Sequence, residues 1–156
     1  MKILFVCTGN TCRSPLAEAI ARRMVAKRAL PNIEVSSMGT FATEGSPASE
    51  GSLRVAEEQG IDLTAHRARV STPERVQSAD LILVMGPHHK ERIEELGGEG
   101  KTHLLSSFAS RGEQTRAVND PFGGDIEMYR ATFVELAHEI GNVLDRVVAD
   151  SSPAHA

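Results

Sequence analysis

The sequence predicts an α/β fold, a three-layer sandwich around a central parallel sheet of about four strands. Three observations lead there. Two short runs, Ile3-Leu4-Phe5-Val6 and Leu81-Ile82-Leu83-Val84-Met85, are apolar at every position, as strands covered on both faces are. Helical patterns, with apolar residues three or four apart, lie between and after them. The chain has 156 residues, 40% of them hydrophobic, enough to bury one core.

The first strand runs from Lys2 to Cys7, and the chain turns polar at Thr8-Gly9-Asn10-Thr11. Ser14-Pro15 opens a helix, with Ser14 as N-cap and Pro15 at the first helical position. Leu16, Ala17, Ile20, Met24 and Val25 form its apolar face, and Pro31 forbids its continuation. Ile33 to Ser37 reads as the second strand, and Gly39 to Pro47 as a loop. Ser46-Pro47 repeats the cap-and-proline pattern and starts a helix ending near Gly60. Thr72-Pro73 opens a short helix. After the strand Leu81 to Met85, Pro87 to Leu96 is a helix stopped by Gly97-Gly98. His103 to Leu105 is a short strand. Residues 106 to 124 form a long polar loop, a length often tied to function. The last helix presents Ile126, Tyr129, Phe133, Leu136, Ile140, Leu144 and Val147 on one face, with Gly141 costing ~1 kcal/mol relative to alanine. A single domain over 1–149 and a frayed tail over 150–156 are expected.

Charged residues make up 24% and the formal net charge is −4, which gives no global reason to bind nucleic acid. No apolar run approaches the ~20 residues of a membrane span. The opening apolar run is too short for a signal peptide, so a cytoplasmic protein is expected. The 2 cysteines cannot supply a disulfide framework or an all-cysteine zinc site, and none of the 6 histidines stands at a familiar ligand spacing from them. No metal and no cofactor are expected.

The loop Cys7-Thr8-Gly9-Asn10-Thr11-Cys12-Arg13-Ser14 leaves a buried strand and enters a helix N-terminus. Backbone amides there lack intrahelical acceptors, and the helix dipole favours an anion. Gly9 and Asn10 tolerate left-handed backbone, so the loop can curl its amides inward as an anion nest. Arg13 adds a planar cationic fork suited to two phosphate oxygens. A phosphate-binding loop after the first strand follows, and the same field favours the thiolate of Cys7 over its thiol. Ser14 can donate to the sulfur. No Gly-Lys-Ser/Thr is present, so this is not a nucleotide-binding loop. A nucleophile inside a phosphate cradle implies phosphoryl transfer to cysteine. The bland alternative is a buried cysteine beside a surface arginine. For a leaving group that needs a proton, Asp120 in Asn119-Asp120-Pro121-Phe122-Gly123-Gly124 is the best candidate acid. By itself, Asp-Pro in a loop is more often a turn.

With these two motifs the chain resembles the low-molecular-weight protein-tyrosine phosphatase family, from the strand and Cys-loop-Arg-Ser-Pro to Asp-Pro-Phe before the last helix. The resemblance implies that Cys7 is the nucleophile, Arg13 grips the phosphoryl oxygens, Asp120 is the general acid and Ser14 steadies the thiolate. Thr8, Gly9, Asn10, Thr11 and Cys12 complete the substrate-binding loop. Asn10 would hold its shape through its side chain, with Ser37 and His66 as partners. Without the resemblance, His66 reads as a structural histidine. The implied activity is metal-independent phosphatase action on phosphorylated proteins, by a monomer.

Two departures bear on the substrate. Tyrosine-directed members commonly carry isoleucine where Thr11 stands, and tyrosines where this chain has Phe122-Gly123-Gly124. Both differences look like the bacterial protein-arginine phosphatase branch. Burying the N–H groups of a guanidino group against isoleucine would leave donors unpaired, whereas Thr11 can accept a hydrogen bond. Losing an aromatic wall also disfavours phenyl stacking. The main reading is a protein-arginine phosphatase; the alternatives are a protein-tyrosine phosphatase, an arsenate reductase and a phosphate-binding module without activity. Related reductases relay electrons through further cysteines, which this chain lacks. Cys12 is either a packing residue or a partner that traps oxidised Cys7 as a disulfide. Phe41 either lines the cleft or caps the core, and His88-His89 reads as a solvated helix start.

Overall fold

The computed structural model describes residues 1–151. Its strands β1 (Lys2–Cys7), β2 (Glu34–Gly39), β3 (Leu81–Val84) and β4 (Thr102–Leu104) form one parallel sheet in the order β2-β1-β3-β4. The helices are α1 (Arg13–Lys27), α2 (Glu50–Glu58), α3 (Pro73–Ser78), α4 (Pro87–Ile93), α5 (Leu105–Ala109) and α6 (Ile126–Asp150).

Alternation along β1 divides the core into two layers. Ile3, Phe5 and Cys7 face Leu16 and Ile20 of α1, Val55 of α2, Phe108 of α5 and Leu136 and Ile140 of α6. Leu4 and Val6 face Val76 of α3 and Ile93 of α4. The three-layer sandwich expected from the apolar runs is therefore present. Strand β1 is central, with Leu4 opposite Ser36 on one side and Ile82 on the other. The chain leaves β1 for β2 on one side and then crosses to β3 on the other. The crevice at such a switch, beyond the strands' C-terminal ends, is where ligands bind in this architecture. The loop after Cys7 occupies it. Gly39, ending β2, permits the close approach: a Cβ there would strike the Thr8 carbonyl oxygen and lie 2.9 Å from the Asn10 amide nitrogen.

Several boundaries differ from the sequence expectation. Helix α1 begins at Arg13 with Cys12 at the N-cap, and no side chain caps it. Ser14 and Pro15 fall inside the first turn, where a missing N–H is tolerated. The Ser14 hydroxyl is engaged by Cys7 and Asn10 instead. Ser46-Pro47 does not start α2. Ser46 is held in the loop by Ala68, whose amide donates to its carbonyl, and the cap is Ser49, which accepts from the Ser52 amide. Thr72 caps α3 as expected. Helix α4 runs on into a wide turn, Glu94–Gly98, in which Gly97 takes φ +101°. The strand expected at His103 to Leu105 lies one residue earlier. Helix α5 then shortens the expected long loop, because Leu105 and Phe108 bury their side chains. Asp125, which accepts from the Met128 amide, caps α6. Asp150, first residue of the expected tail, closes α6 and pairs with Arg111 and Arg146; residues 152–156 lie outside the described residues. No helix among the described residues is long and apolar enough to cross a membrane.

Candidate active site

The loop between β1 and α1 has its carbonyls tied outward. Cys7 O accepts from the Thr40 amide at 3.0 Å and Thr8 O from the Phe41 amide at 3.0 Å. Thr11 O accepts from the Ser49 amide at 2.9 Å. His66 Nε2 lies 2.7 Å from Asn10 O, so it donates there. By contrast, the amides of Gly9, Asn10, Thr11 and Cys12 donate to no protein group among the described residues. Carbonyls out and amides free is the polarity of an anion nest. Of the two residues that tolerate left-handed backbone, Asn10 turns the chain with φ 55°, while Gly9 does not take a positive φ.

Hydrogen-bond accounting gives the buried network a direction. Ser37 Oγ donates to the Glu18 carboxylate at 2.7 Å, and a carboxylate only accepts. Ser37 Oγ must then accept from Asn10 Nδ2, at 2.9 Å. Asn10 Oδ1 accepts from the Arg69 amide at 2.9 Å, which fixes the amide's orientation. Asn10 Nδ2 also donates to Ser14 Oγ at 2.7 Å. The Ser14 hydrogen then has two acceptors in reach, Met38 O at 3.4 Å and Cys7 Sγ at 2.9 Å, and the sulfur is the nearer. The chain of donors thus ends on the sulfur. Ser37 and His66 both meet Asn10, as expected, but His66 holds its main-chain carbonyl and not its side chain.

Arg13 is buried, at 5% exposure. Its Nη1 donates to Val118 O at 3.0 Å, and Nη2 stands 3.6 Å from Asp120 Oδ2. Its Nε is buried with no partner among the described residues. An orphaned guanidinium N–H at a cleft is a donor open to water or to a ligand oxygen. Asp120 is half exposed and accepts from the Phe122 amide at 3.1 Å. A cleft of about 210 Å³ lies between them, lined by Cys7, Thr8, Gly9, Thr11, Cys12, Arg13, Asp120 and Phe122. The sequence-predicted nucleophile, cation and acid thus share one cavity. Ser14 lies beneath it. Phe122, not Phe41, lines the wall; Phe41 stands beside the loop with an exposed ring.

Cys12 packs under the loop as a buried free thiol, as does Cys7. Its Sγ lies 3.3 Å from Ser49 Oγ and 3.5 Å from the Tyr129 hydroxyl. Burial, reinforced by the Cys12 side chain against the effect of Ser49, pushes the Tyr129 phenol upward. Sequence reasoning missed Glu18, Ser49, Val118, Tyr129 and the main chain of Arg69. It also misplaced His89, which is fully buried and lies 2.8 Å through Nε2 from Thr8 Oγ1. The available signal was its spacing of four from Ile93, which is buried on the same face of α4.

The chain matches the low molecular weight phosphotyrosine protein phosphatase family over residues 2–152. It is 43% identical to a protein-arginine-phosphatase of Geobacillus stearothermophilus over 148 residues, 94% of this chain and 95% of that one. It is 38% identical to the low molecular weight protein-tyrosine-phosphatase PtpB of Staphylococcus haemolyticus over 144 residues, 92% and 97% of the two chains. Among solved structures, the YwlE arginine phosphatase, as a mutant with a phosphorylated active-site serine, superimposes with a TM-score of 0.91 at 35% identity, covering 97% of this chain and 98% of that one.

Proposed function

Because the chain belongs to the low molecular weight phosphotyrosine protein phosphatase family, a family of cysteine-dependent protein phosphatases, we propose that it removes phosphoryl groups from the arginine side chains of proteins. The observation that carries the chemistry is the loop whose amides, with Arg13 Nε, lack protein acceptors around the Cys7 sulfur. The reading of the substrate rests on Thr11, which puts a hydroxyl in the cleft wall. The arginine-directed relatives support it.

In the first step Cys7 Sγ attacks phosphorus in line, and the bond from phosphorus to the guanidino nitrogen breaks. Asp120 delivers the proton that the departing nitrogen needs. Charge develops on three equatorial oxygens in a loose transition state. The loop amides and Arg13 Nε, which lack protein acceptors among the described residues, stabilise those oxygens with little reorganisation as the charge forms. In the second step water attacks the phosphocysteine, Asp120 takes its proton, and the Cys7 thiolate leaves to be stabilised again by Ser14. Thr11 Oγ accepts from a guanidino N–H that an isoleucine would leave unpaired.

The test is kcat/KM on matched phosphoarginine and phosphotyrosine peptides, with Cys7→Ser as the inactive control. Phosphoarginine should be preferred, and Thr11→Ile should shift the ratio toward phosphotyrosine by about 10- to 100-fold. An unchanged ratio in that variant removes Thr11 as the discriminating residue. The same reading has a monomer acting in the cytoplasm, checked by sedimentation and by cell fractionation. It also gives Cys12 a protective role. Peroxide converts Cys7 to a sulfenic acid, which condenses with the Cys12 thiol, releasing water and forming a disulfide. Mass spectrometry after mild peroxide should find the Cys7–Cys12 bond; overoxidised Cys7 alone would contradict it.

A further inference from the structure

His89 lies in the first turn of α4 and is 0% exposed, yet it reaches the phosphate loop: Nε2 lies 2.8 Å from Thr8 Oγ1. Burial, helped by His88 and Arg13 and opposed by Asp120, pushes the imidazole down to about 3, so the ring is neutral at ordinary pH. A neutral imidazole has one N–H and one lone pair. Its Nδ1 is buried with no partner among the described residues and faces the bare side of Gly86, where an added Cβ would sit 3.5 Å away. A proton on Nδ1 would therefore be a buried N–H without an acceptor, a rarer defect than an unused lone pair. The proton belongs on Nε2, which donates to Thr8 Oγ1. The Thr8 hydroxyl hydrogen must then go elsewhere, and Thr8 lines the cleft with Cys7 and Arg13.

We infer that His89 is a positioning residue of the phosphate site: by donating to Thr8 Oγ1, it turns the Thr8 hydroxyl into a donor aimed at a phosphoryl oxygen. The inference rests on the phosphatase reading above and adds a side-chain donor, fixed from the far side of the sheet, to the loop amides and Arg13. The histidine itself touches no reacting atom.

The full chain is tested with inorganic phosphate as the probe. In the wild type, ¹⁵N shifts of the imidazole should report the Nε2–H tautomer; an Nδ1–H tautomer overturns the proposal. Thr8→Val and His89→Leu should each weaken phosphate binding about tenfold, and the double variant no further. His89→Gln, which keeps an N–H at similar reach, should recover most of the loss. Losses that multiply to about a hundredfold in the double variant mean that the two residues act independently, and overturn it. If His89→Leu fails to fold, His89→Gln decides alone: near-wild-type phosphate affinity beside a weakened Thr8→Val supports the proposal, and equal weakening refutes it. Absence of turnover on every phosphopeptide would sink the phosphatase reading, whereas the tautomer and the phosphate titration still decide the role of His89.

Discussion

Asn10→Ala should destabilise the fold by about 3–4 kcal/mol, from three separable losses. The first is the bond from the Arg69 amide to Asn10 Oδ1, at 2.9 Å. Its removal strands a partly buried N–H, worth about 1–2 kcal/mol. The second is the pair of bonds from Nδ2 to Ser14 and Ser37. Both serine oxygens keep another partner, Cys7 and Glu18 respectively, so their joint loss is worth about 1 kcal/mol. The third is conformational. Asn10 sits at φ 55°, and alanine in the left-handed region costs about 1 kcal/mol more than asparagine does there. Asn10→Gly separates the terms, since it loses the same bonds but accepts the backbone. Urea denaturation of the three proteins gives the differences. The glycine variant should fall between wild type and the alanine variant, by about 1 kcal/mol relative to alanine. A loss under about 1 kcal/mol for alanine, or a glycine variant less stable than the alanine one, would refute the accounting.

Asp120→Asn should lower kcat/KM, which reports the steps up to phosphocysteine formation, by about 10²–10⁴-fold on phosphoarginine peptide, with a much smaller loss on an activated aryl phosphate whose leaving group needs no proton. Equal losses on both substrates would remove Asp120 as the acid. The pH dependence of stability tests the burial of His89. Its folded pKa, about 3, lies below the ordinary 6.5, so below pH 6.5 the unfolded chain takes up a proton that the folded chain refuses. Stability is full above that value and falls as pH drops from 6.5 toward 3. The loss by pH 5 is about 2 kcal/mol. Urea titrations at pH 7 and 5 should show a drop smaller by that amount in His89→Gln than in wild type. His103, lowered by burial, adds the same sign, and Glu135, raised by burial, the opposite. Both are common to the two proteins and cancel in the comparison. Equal drops would show His89 titrating freely.

The strands were legible because a parallel strand buried on both faces leaves no room for polar residues, and Ile3–Val6 and Leu81–Met85 have none. The loop was legible because its chemistry is local: a strand end, a helix start, and an arginine between them. What failed was competition for side chains. Ser14 reads as a cap only if its hydroxyl is idle, and here Cys7 and Asn10 claim it. Ser46-Pro47 reads as a helix start only if nothing holds Ser46 in the loop, and Ala68 does, while Ser49 supplies the cap. His89 follows a proline and another histidine, a polar stretch with the look of surface. Its spacing from Ile93 marks a buried face, but its hydrogen-bond partner Thr8 is distant in sequence. Such long-range partners leave no local trace. Glu18 is the same case: on an exposed-looking turn of α1, it orients a chain of donors that ends on the sulfur.

The position of Asp120 illustrates why the site needs the whole fold. Asp120 follows a long stretch with little secondary structure, yet it stands over a loop near the start of the chain. One residue joins the two. The Val118 amide donates to Met85 O at 2.9 Å, just beyond the end of β3. The Val118 carbonyl accepts from Arg13 Nη1 at 3.0 Å. Strand β3 pairs with β1, so the end of β3 has a fixed offset from the end of β1, where Cys7 lies. The spacing of Asp120 from Cys7 therefore follows the sheet register through one residue, Val118. Farther back, Ser106 Oγ holds the Arg116 carbonyl, and the Arg116 side chain pairs with buried Glu139 of α6. These contacts hold the approach to Asp120 at Val118, by β3, and at Arg116, by the helical layer. A binding loop alone would need only β1 and α1. A carboxylate held 3.6 Å from the guanidinium of that loop is what the proposed general acid adds to it.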